Sequence, residues 1–304
     1  MPPTFSLQSR DPADAARAEA LGFDAFLAAD HPGTWPSPFP VLAAAASAGS
    51  RVRLGTCVVN AGLRDPVELA VDVATLDQLS GGRALLGLGA GHTPAEWTGR
   101  GLPYPSPADR VARLAEMVDV VPCLLAGETV TFAGRHLRLD GAAVADPRPV
   151  QDRVPLAIGG NGRTVLRLAG RHADIVGLTG TGRTRPDGHT HEVRWSPADT
   201  DATVAVVQDA AAAAGRAVPA LEALVQHVAL TDDREQAAAG LAAQVEGLTV
   251  ADALATPFLL LGTAAEIAAQ LAAHEARWGI TRFVVRPDTL DAVAAVLAAQ
   301  SQQS

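Results

Sequence analysis

Asp30 and His31 stand side by side in the stretch FLAADHPGTW, directly after the short apolar run AFLAA (25–29). An imidazole at the end of a strand can donate a hydrogen bond or carry a proton, and an adjacent carboxylate can orient or ionise it. A solitary histidine is more often a structural residue. What favours chemistry here is the position, at the rim of a strand that a barrel would point toward its active-site face.

Two glycine-rich stretches carry the second kind of chemistry, the holding of a ligand. In RALLGLGAGHTPAEW (83–97) the glycines are Gly87, Gly89 and Gly91, evenly spaced, with Thr93-Pro94 following. A dinucleotide turn needs Gly-x-Gly-x-x-Gly running straight into a helix, so that reading fails. Alternating glycines at a strand end leave one side of the backbone bare, either to let a flat ligand lie close or to fit a crowded strand end. In AIGGNGRTVLRLAG, Gly159, Gly160, Asn161 and Gly162 precede a helix starting near Arg163. Free N–H groups and the positive end of a helix dipole suit a phosphate there, and Arg163 adds a fork of donors; an ordinary tight turn is the other reading.

The elements that must position these residues alternate along the chain. Apolar runs read as eight strands: TFSLQ (4–8), AFLAA (25–29), VRLGTCVV (52–59), RALLGLG (83–89), VPLAIGG (154–160), DIVGL (174–178), ALVQHVAL (223–230) and TRFVVR (281–286). Amphipathic segments lie between them, among them DPADAARAEALG, PVELAVDVATLDQLSGG and TAAEIAAQLAAHEARWG, with Gly at their ends as helix stops require. Eight β/α pairs predict a TIM barrel formed by residues 1–304 as a single domain; a doubly wound sheet of two halves is the alternative. ETVTFAGRHLRLDG (128–141) reads as an inserted β-hairpin, and TGTGRTRPDGHTHEVRWSP (179–197) as a long polar loop over the mouth.

Composition excludes several classes. The formal net charge of -9 offers no positive surface for a nucleic-acid backbone. No apolar segment is long enough to span a bilayer, and the N-terminal stretch lacks a basic region followed by an apolar run, so a cytoplasmic protein without membrane contact is expected. All 24 cationic side chains are arginine, which rules out Schiff-base lysines and a P-loop lysine. Cys57 and Cys123 suggest neither a disulfide framework nor a metal pair. His189-Thr190-His191-Glu192 contains an HxH pair, but in a Pro-Gly-rich loop with no further ligand set, so no metal is expected.

In order, the segments ALGFDAFLAADH, RVRLGTCVVNAGLRDPVELAVDVATLDQLSGGRALLGLGAG, PLAIGGNGRTVLRLAGRHADIVGL and LLLGTAAEIAAQLAAHEARWGITRFVV resemble the luciferase-like monooxygenase superfamily, in particular its coenzyme F420-dependent oxidoreductases. The resemblance covers essentially the whole chain. It implies a barrel binding a deazaflavin or flavin at its C-terminal mouth, hydride transfer to or from a small organic substrate, and a homodimer. It further implies a non-prolyl cis peptide at Cys57-Val58, in a bulge that backs the ring. Asp30 and His31 fall beside that ring, Asn60 at a polar ring contact, Gly89 and Gly91-His92 along its edge, and Gly159 to Arg163 at the phosphate.

Sugar-phosphate-specific relatives carry a glutamate after the strand-four glycine, where this chain has His92; His92 and Glu96 are the candidate proton donors. The resemblance, together with the high-GC bias that the arginine-only cations express, favours F420 over FMN, the alternative; the anionic tail of F420 calls for cations beyond the phosphate. Thr179, Arg183 and Arg185 in the loop after strand six are placed to meet it. Trp35, Trp97 and Trp195 fall in mouth loops, where they either wall a substrate pocket or pack the rim.

Overall fold

The computed structural model describes residues 3–184 and 191–301. In chain order the strands are β1 (Thr4–Gln8), β2 (Ala25–Ala28), β3 (Arg53–Thr56), β4 (Val59–Asn60), β5 (Ala84–Gly89), β6 (Val130–Ala133), β7 (Arg138–Ala142), β8 (Leu156–Gly159), β9 (Ile175–Leu178), β10 (Thr181–Thr184), β11 (His191–Val193), β12 (Ala220–Leu224), β13 (His227–Leu230), β14 (Leu259–Gly262) and β15 (Ile280–Val285). The helices are α1 (Asp14–Ala20), α2 (Pro38–Ser47), α3 (Pro66–Ser80), α4 (Ala95–Thr98), α5 (Pro107–Leu125), α6 (Arg163–His172), α7 (Pro197–Ala213), α8 (Arg234–Gln244), α9 (Val250–Ala255), α10 (Ala264–Trp278) and α11 (Leu290–Ser301). None of the described helices is long and apolar enough to cross a membrane.

The main sheet runs β3-β2-β1-β15-β12-β9-β8-β5-β4, and β3 pairs again with β5, so the ring closes; with β3 and β4 counted as one interrupted strand, this is a TIM (β/α)8 barrel. The chain divides into two compact units, one built on Gln8–Gly159 and the other on Gly160–Arg171 and the chain from Ile175 onward.

In the first unit the expected strand 52–59 is broken. β3 pairs with Leu85 through Gly55, β4 pairs with Leu88 and Gly89 through Val59 and Asn60, and the peptide between Cys57 and Val58 is cis. β5 is buried along its whole length, consistent with a parallel strand covered on both faces. Helix α3 follows from local signals: Asp65 accepts from the Val67 and Glu68 N–H groups, Pro66 opens the first turn, and Gly81 at φ 67° takes the left-handed cap. The hairpin appears as expected, β6 against β7, and Glu116 of α5 holds it by accepting from the Arg135, His136 and Leu137 N–H groups.

In the second unit β1 and β12 flank β15, and β12 pairs with β9, all parallel. The expected strand 223–230 divides. β12 ends at Leu224, the Gln226 N–H turns to Phe258 O, and β13 then leaves the barrel wall to pair with β14, which the sequence reading had not separated as a strand. The segment after β9 is not a plain loop: β10 and β11 form an antiparallel hairpin. Arg185, His189 and Thr190 lie outside the described residues, as does the side chain of Arg183, whose backbone belongs to β10.

Candidate active site

The first unit gathers the proton-bearing residues. His31 follows β2, and its Nδ1 lies 2.8 Å from Glu96 Oε1. Glu96 is 6% exposed and stands on the single turn α4, whose N-terminal turn is closed by the Glu96 N–H donating to Thr93 O. Its second oxygen accepts from Asn60 Nδ2 at 2.6 Å, and Asn60 Oδ1 in turn accepts from the Gly62 N–H at 3.0 Å. Burial pushes the Glu96 carboxyl upward, but the hydrogen bonds from His31 and Asn60 and the positive field of the two histidines outweigh it and hold the group below its ordinary value. The site therefore contains an ionised carboxylate. In its neutral form with Nδ1–H donated to Glu96, His31 presents a lone pair at Nε2, the arrangement of a general base.

Asp30 does not do what its adjacency suggested. It is 3% exposed and turned away from the imidazole, forked by Arg64 at 3.1 and 2.7 Å and accepting from the Asn60 N–H at 3.2 Å. The hydrogen bond to Asp30 raises the Arg64 guanidinium's affinity for its proton. Consecutive residues leaving a strand point to opposite sides, so one neighbour reaches the site and the other the wall behind it. The carboxylate that orients His31 comes from Glu96, far along the chain.

His92 lies edge-on to His31 with ring centres 5.8 Å apart, and Trp35 is 6.4 Å from His31 on a similar edge. The loop carrying His92 is pinned: Arg110 Nε donates to Gly91 O at 2.9 Å, and Tyr104 Oη donates to His92 O at 2.8 Å. Gly91 has φ 72°, and a Cβ there would fall on the Asn60 side chain and the Trp97 ring. Trp97, 2% exposed and packed on Tyr104 at 5.3 Å, is core and not a substrate wall.

Two further glycines face Val58. A Cβ on Gly89 would meet Val58 Cγ2 at 2.5 Å, and one on Gly159 would meet Val58 Cγ1 at 3.1 Å. The half-buried Val58 fills the space over β5 and β8, so these glycines serve the bulge. The bulge is held from both sides as well, the Cys57 N–H donating to Ala28 O at 2.9 Å and Cys57 O accepting from Gln8 Nε2 at 2.8 Å. Arg64, Gln8, Tyr104 and Arg110 were not singled out by the sequence reading, because each acts through a contact with a distant segment and carries no local motif.

The second unit contains the glycine turn. The Gly160 N–H donates to Gly177 O at 3.2 Å, and the Asn161 amide nitrogen donates to Thr179 Oγ1, to Thr181 O at 3.0 Å and to Thr181 Oγ1 at 3.1 Å. Asn161 and Thr179 thus brace each other. Helix α6 begins at Arg163, and among the described residues no acceptor takes the N–H of Gly162, Arg163 or Thr164. That is the donor set a phosphate would meet. Trp195, 8% exposed, packs on Phe258 with ring centres 6.4 Å apart and is part of the rim.

Comparison with known proteins follows the same lines. The chain is 36% identical over 232 residues to an F420-dependent glucose-6-phosphate dehydrogenase of Nakamurella multipartita, covering 73% of this chain and 64% of that protein. A second relative with the same description, from Beutenbergia cavernae, is 38% identical over 175 residues, covering 55% of this chain and 51% of its own length. These matches span between about half and two thirds of the relatives' length. Among solved structures, the coenzyme F420-dependent tetrahydromethanopterin reductase of Methanopyrus kandleri superposes with a TM-score of 0.75 at 22% identity, covering 99% of this chain and 98% of that one. An F420-dependent secondary alcohol dehydrogenase in complex with an F420-acetone adduct gives 0.76 at 21% identity, with 98% of each chain covered. At such identities the likeness concerns the fold. The family model for luciferase-like monooxygenases matches residues 12–282, and the chain belongs to that family.

Proposed function

We propose that this chain is an F420-dependent oxidoreductase that oxidises a hydroxyl-bearing carbon of a small substrate, glucose 6-phosphate being the first compound to test. The reading is supported by family membership, by the descriptions of the relatives at 36% and 38% identity, and by the chemistry of the site. The observation that carries it is the pair formed by His31 Nδ1 and the buried Glu96 carboxylate.

The residues present fit the cofactor on two counts. The first-turn N–H groups of α6 have no acceptor among the described residues, as a phosphate-binding turn requires. Val58 is a half-buried apolar knob at the strand end, suited to the face of a tricyclic ring. In the first unit Cys57, Val58, Asn60 and the backbone at Gly89 and Gly91 would suit the ring; in the second, Gly160, Asn161, Gly162 and Arg163, with Thr179 bracing Asn161, would suit a phosphate. When bound, the deazaflavin supplies the hydride acceptor.

His31 Nε2 takes the hydroxyl proton from the substrate. The imidazolium so formed is compensated at once by Glu96, which is already ionised and is held in place by Asn60. Asp30 and Arg64 act behind this pair by fixing the Asn60 backbone. His92 stands at the exposed edge, where a proton can pass to solvent.

Titration of the purified protein with F420 and, in parallel, with FMN tests the cofactor assignment. Saturable F420 binding that is weakened by Arg163→Ala supports it. Binding of FMN in preference favours a flavin monooxygenase, and binding of neither rejects the assignment.

A further inference from the structure

Arg10 follows β1 in a turn whose backbone is tied down on both sides. The Ser9 N–H donates to Leu27 O at 2.9 Å, and Ser9 Oγ accepts from the Asp11 N–H at 3.2 Å while donating to Asp14 Oδ2 at 2.7 Å. The Arg10 guanidinium lies 5.9 Å from the centre of the Trp35 ring, the same ring that stands 6.4 Å from His31. A guanidinium laid on an indole uses its face and leaves its in-plane N–H donors free.

The other arginines around the site are committed elsewhere. Arg64 is forked on Asp30, Arg110 donates to the carbonyls of Gly91 and Pro105, and Arg113 to those of Ala61, Arg64 and His136. The acids next to Arg10 in sequence are also taken, Asp11 by the Ala13 N–H and Asp14 by Ser9 and Arg17. Among the described residues Arg10 has no carboxylate or carbonyl partner, its one recorded contact being the Trp35 ring. In a chain of net charge -9, an uncommitted cation on the ring that neighbours the proposed base is a local reversal of the protein's own field.

We propose that Arg10, stacked on Trp35 beside His31, reads a phosphate or carboxylate group on the substrate whose hydroxyl His31 deprotonates. The inference rests on the oxidoreductase reading above and adds the charge of the substrate to it. A guanidinium fork binding such an anion makes two charge-assisted hydrogen bonds, and Trp35 fixes the plane in which they are offered.

The test is calorimetric titration of wild type, Arg10→Ala and Arg10→Lys with glucose 6-phosphate and with unphosphorylated glucose, alongside F420 affinity. Arg10 is exposed and carries no hydrogen bond of the fold, so the variants fold as the parent does. The expected result is that Arg10→Ala weakens glucose 6-phosphate binding about tenfold or more, that Arg10→Lys recovers part of the loss, and that glucose and F420 affinities stay within about twofold. Equal glucose 6-phosphate affinity in wild type and Arg10→Ala, or no binding to wild type, overturns the proposal. A matching loss for F420 also overturns it and assigns Arg10 to the cofactor's anionic tail. Selective loss of the phosphate ester in a protein that never reduces F420 leaves Arg10 as an anion reader and rejects the oxidoreductase reading instead.

Discussion

Glu96 Oε1 sits 2.8 Å from Nδ1 of His31, across 65 residues of sequence, and this contact makes one carboxylate the partner of the imidazole at the barrel mouth. The neighbour in sequence, Asp30, is occupied by Arg64. The division of labour between these two acids gives the first two predictions.

Glu96→Gln keeps the shape and removes the charge. Turnover falls by about 10- to 100-fold while F420 affinity changes little, because the imidazolium loses its counter-charge at the moment it forms. The carboxyl of Glu96 is held below its ordinary value, so its contribution to stability is full above the ordinary carboxylate range and is lost as pH falls through the lowered value. Acid denaturation of Glu96→Gln compared with wild type measures that contribution: the two curves converge at the acid end.

Asp30→Asn acts on the fold first. It leaves the partly buried Arg64 without its counter-charge, at a cost of about 3 kcal/mol, visible as a lower denaturant midpoint. Replacing both members, Asp30→Asn with Arg64→Met, recovers part of the loss. A double variant no better than the single one contradicts a role for the pair as mutual compensation.

Gly89→Ala puts a methyl 2.5 Å from Val58 Cγ2 and pushes the bulge out of place. The expected cost is about 1–3 kcal/mol together with weaker F420 binding. Shortening the other side, as Gly89→Ala with Val58→Ala, relieves the clash and restores stability; unchanged stability in the single variant means that Val58 does not occupy this space.

Much of this architecture was legible in the chain. The alternation of apolar runs with capped helices is local information, and Asp65-Pro66 with Gly81 marks α3 without reference to anything distant. The site was legible in part. Gly159 to Arg163 reads as a helix start, and His31 as a rim residue, from position alone. What could not be read is what fills space: in β5, Gly89 is small because of Val58 and Gly87 because of the Thr56 carbonyl, and Asp30 pairs with Arg64, which arrives from another segment. The break at Val225 and Gln226 was missed for a similar reason, since a continuous apolar run does not say that Gln226 will be drawn to Phe258.

His274 gives a prediction independent of the site. It is 4% exposed, stacked on Trp278 at 5.4 Å, and burial pushes its pKa from 6.5 down to about 4. The folded state keeps it neutral while the unfolded chain takes up the proton, so stability is full above pH 6.5 and declines as pH falls toward about 4, by about 3 kcal/mol in all. In His274→Phe, denaturant midpoints across this window lose that part of their slope. An identical slope in the variant assigns the acid sensitivity to other groups.

F420 reduction with glucose 6-phosphate, measured for wild type and His31→Ala at saturating cofactor, tests the proposed role of His31 as the base of an F420-dependent dehydrogenation. The predicted result is reduction by wild type and a loss of about 100-fold or more in His31→Ala with F420 affinity retained. Equal turnover by the two proteins would contradict it.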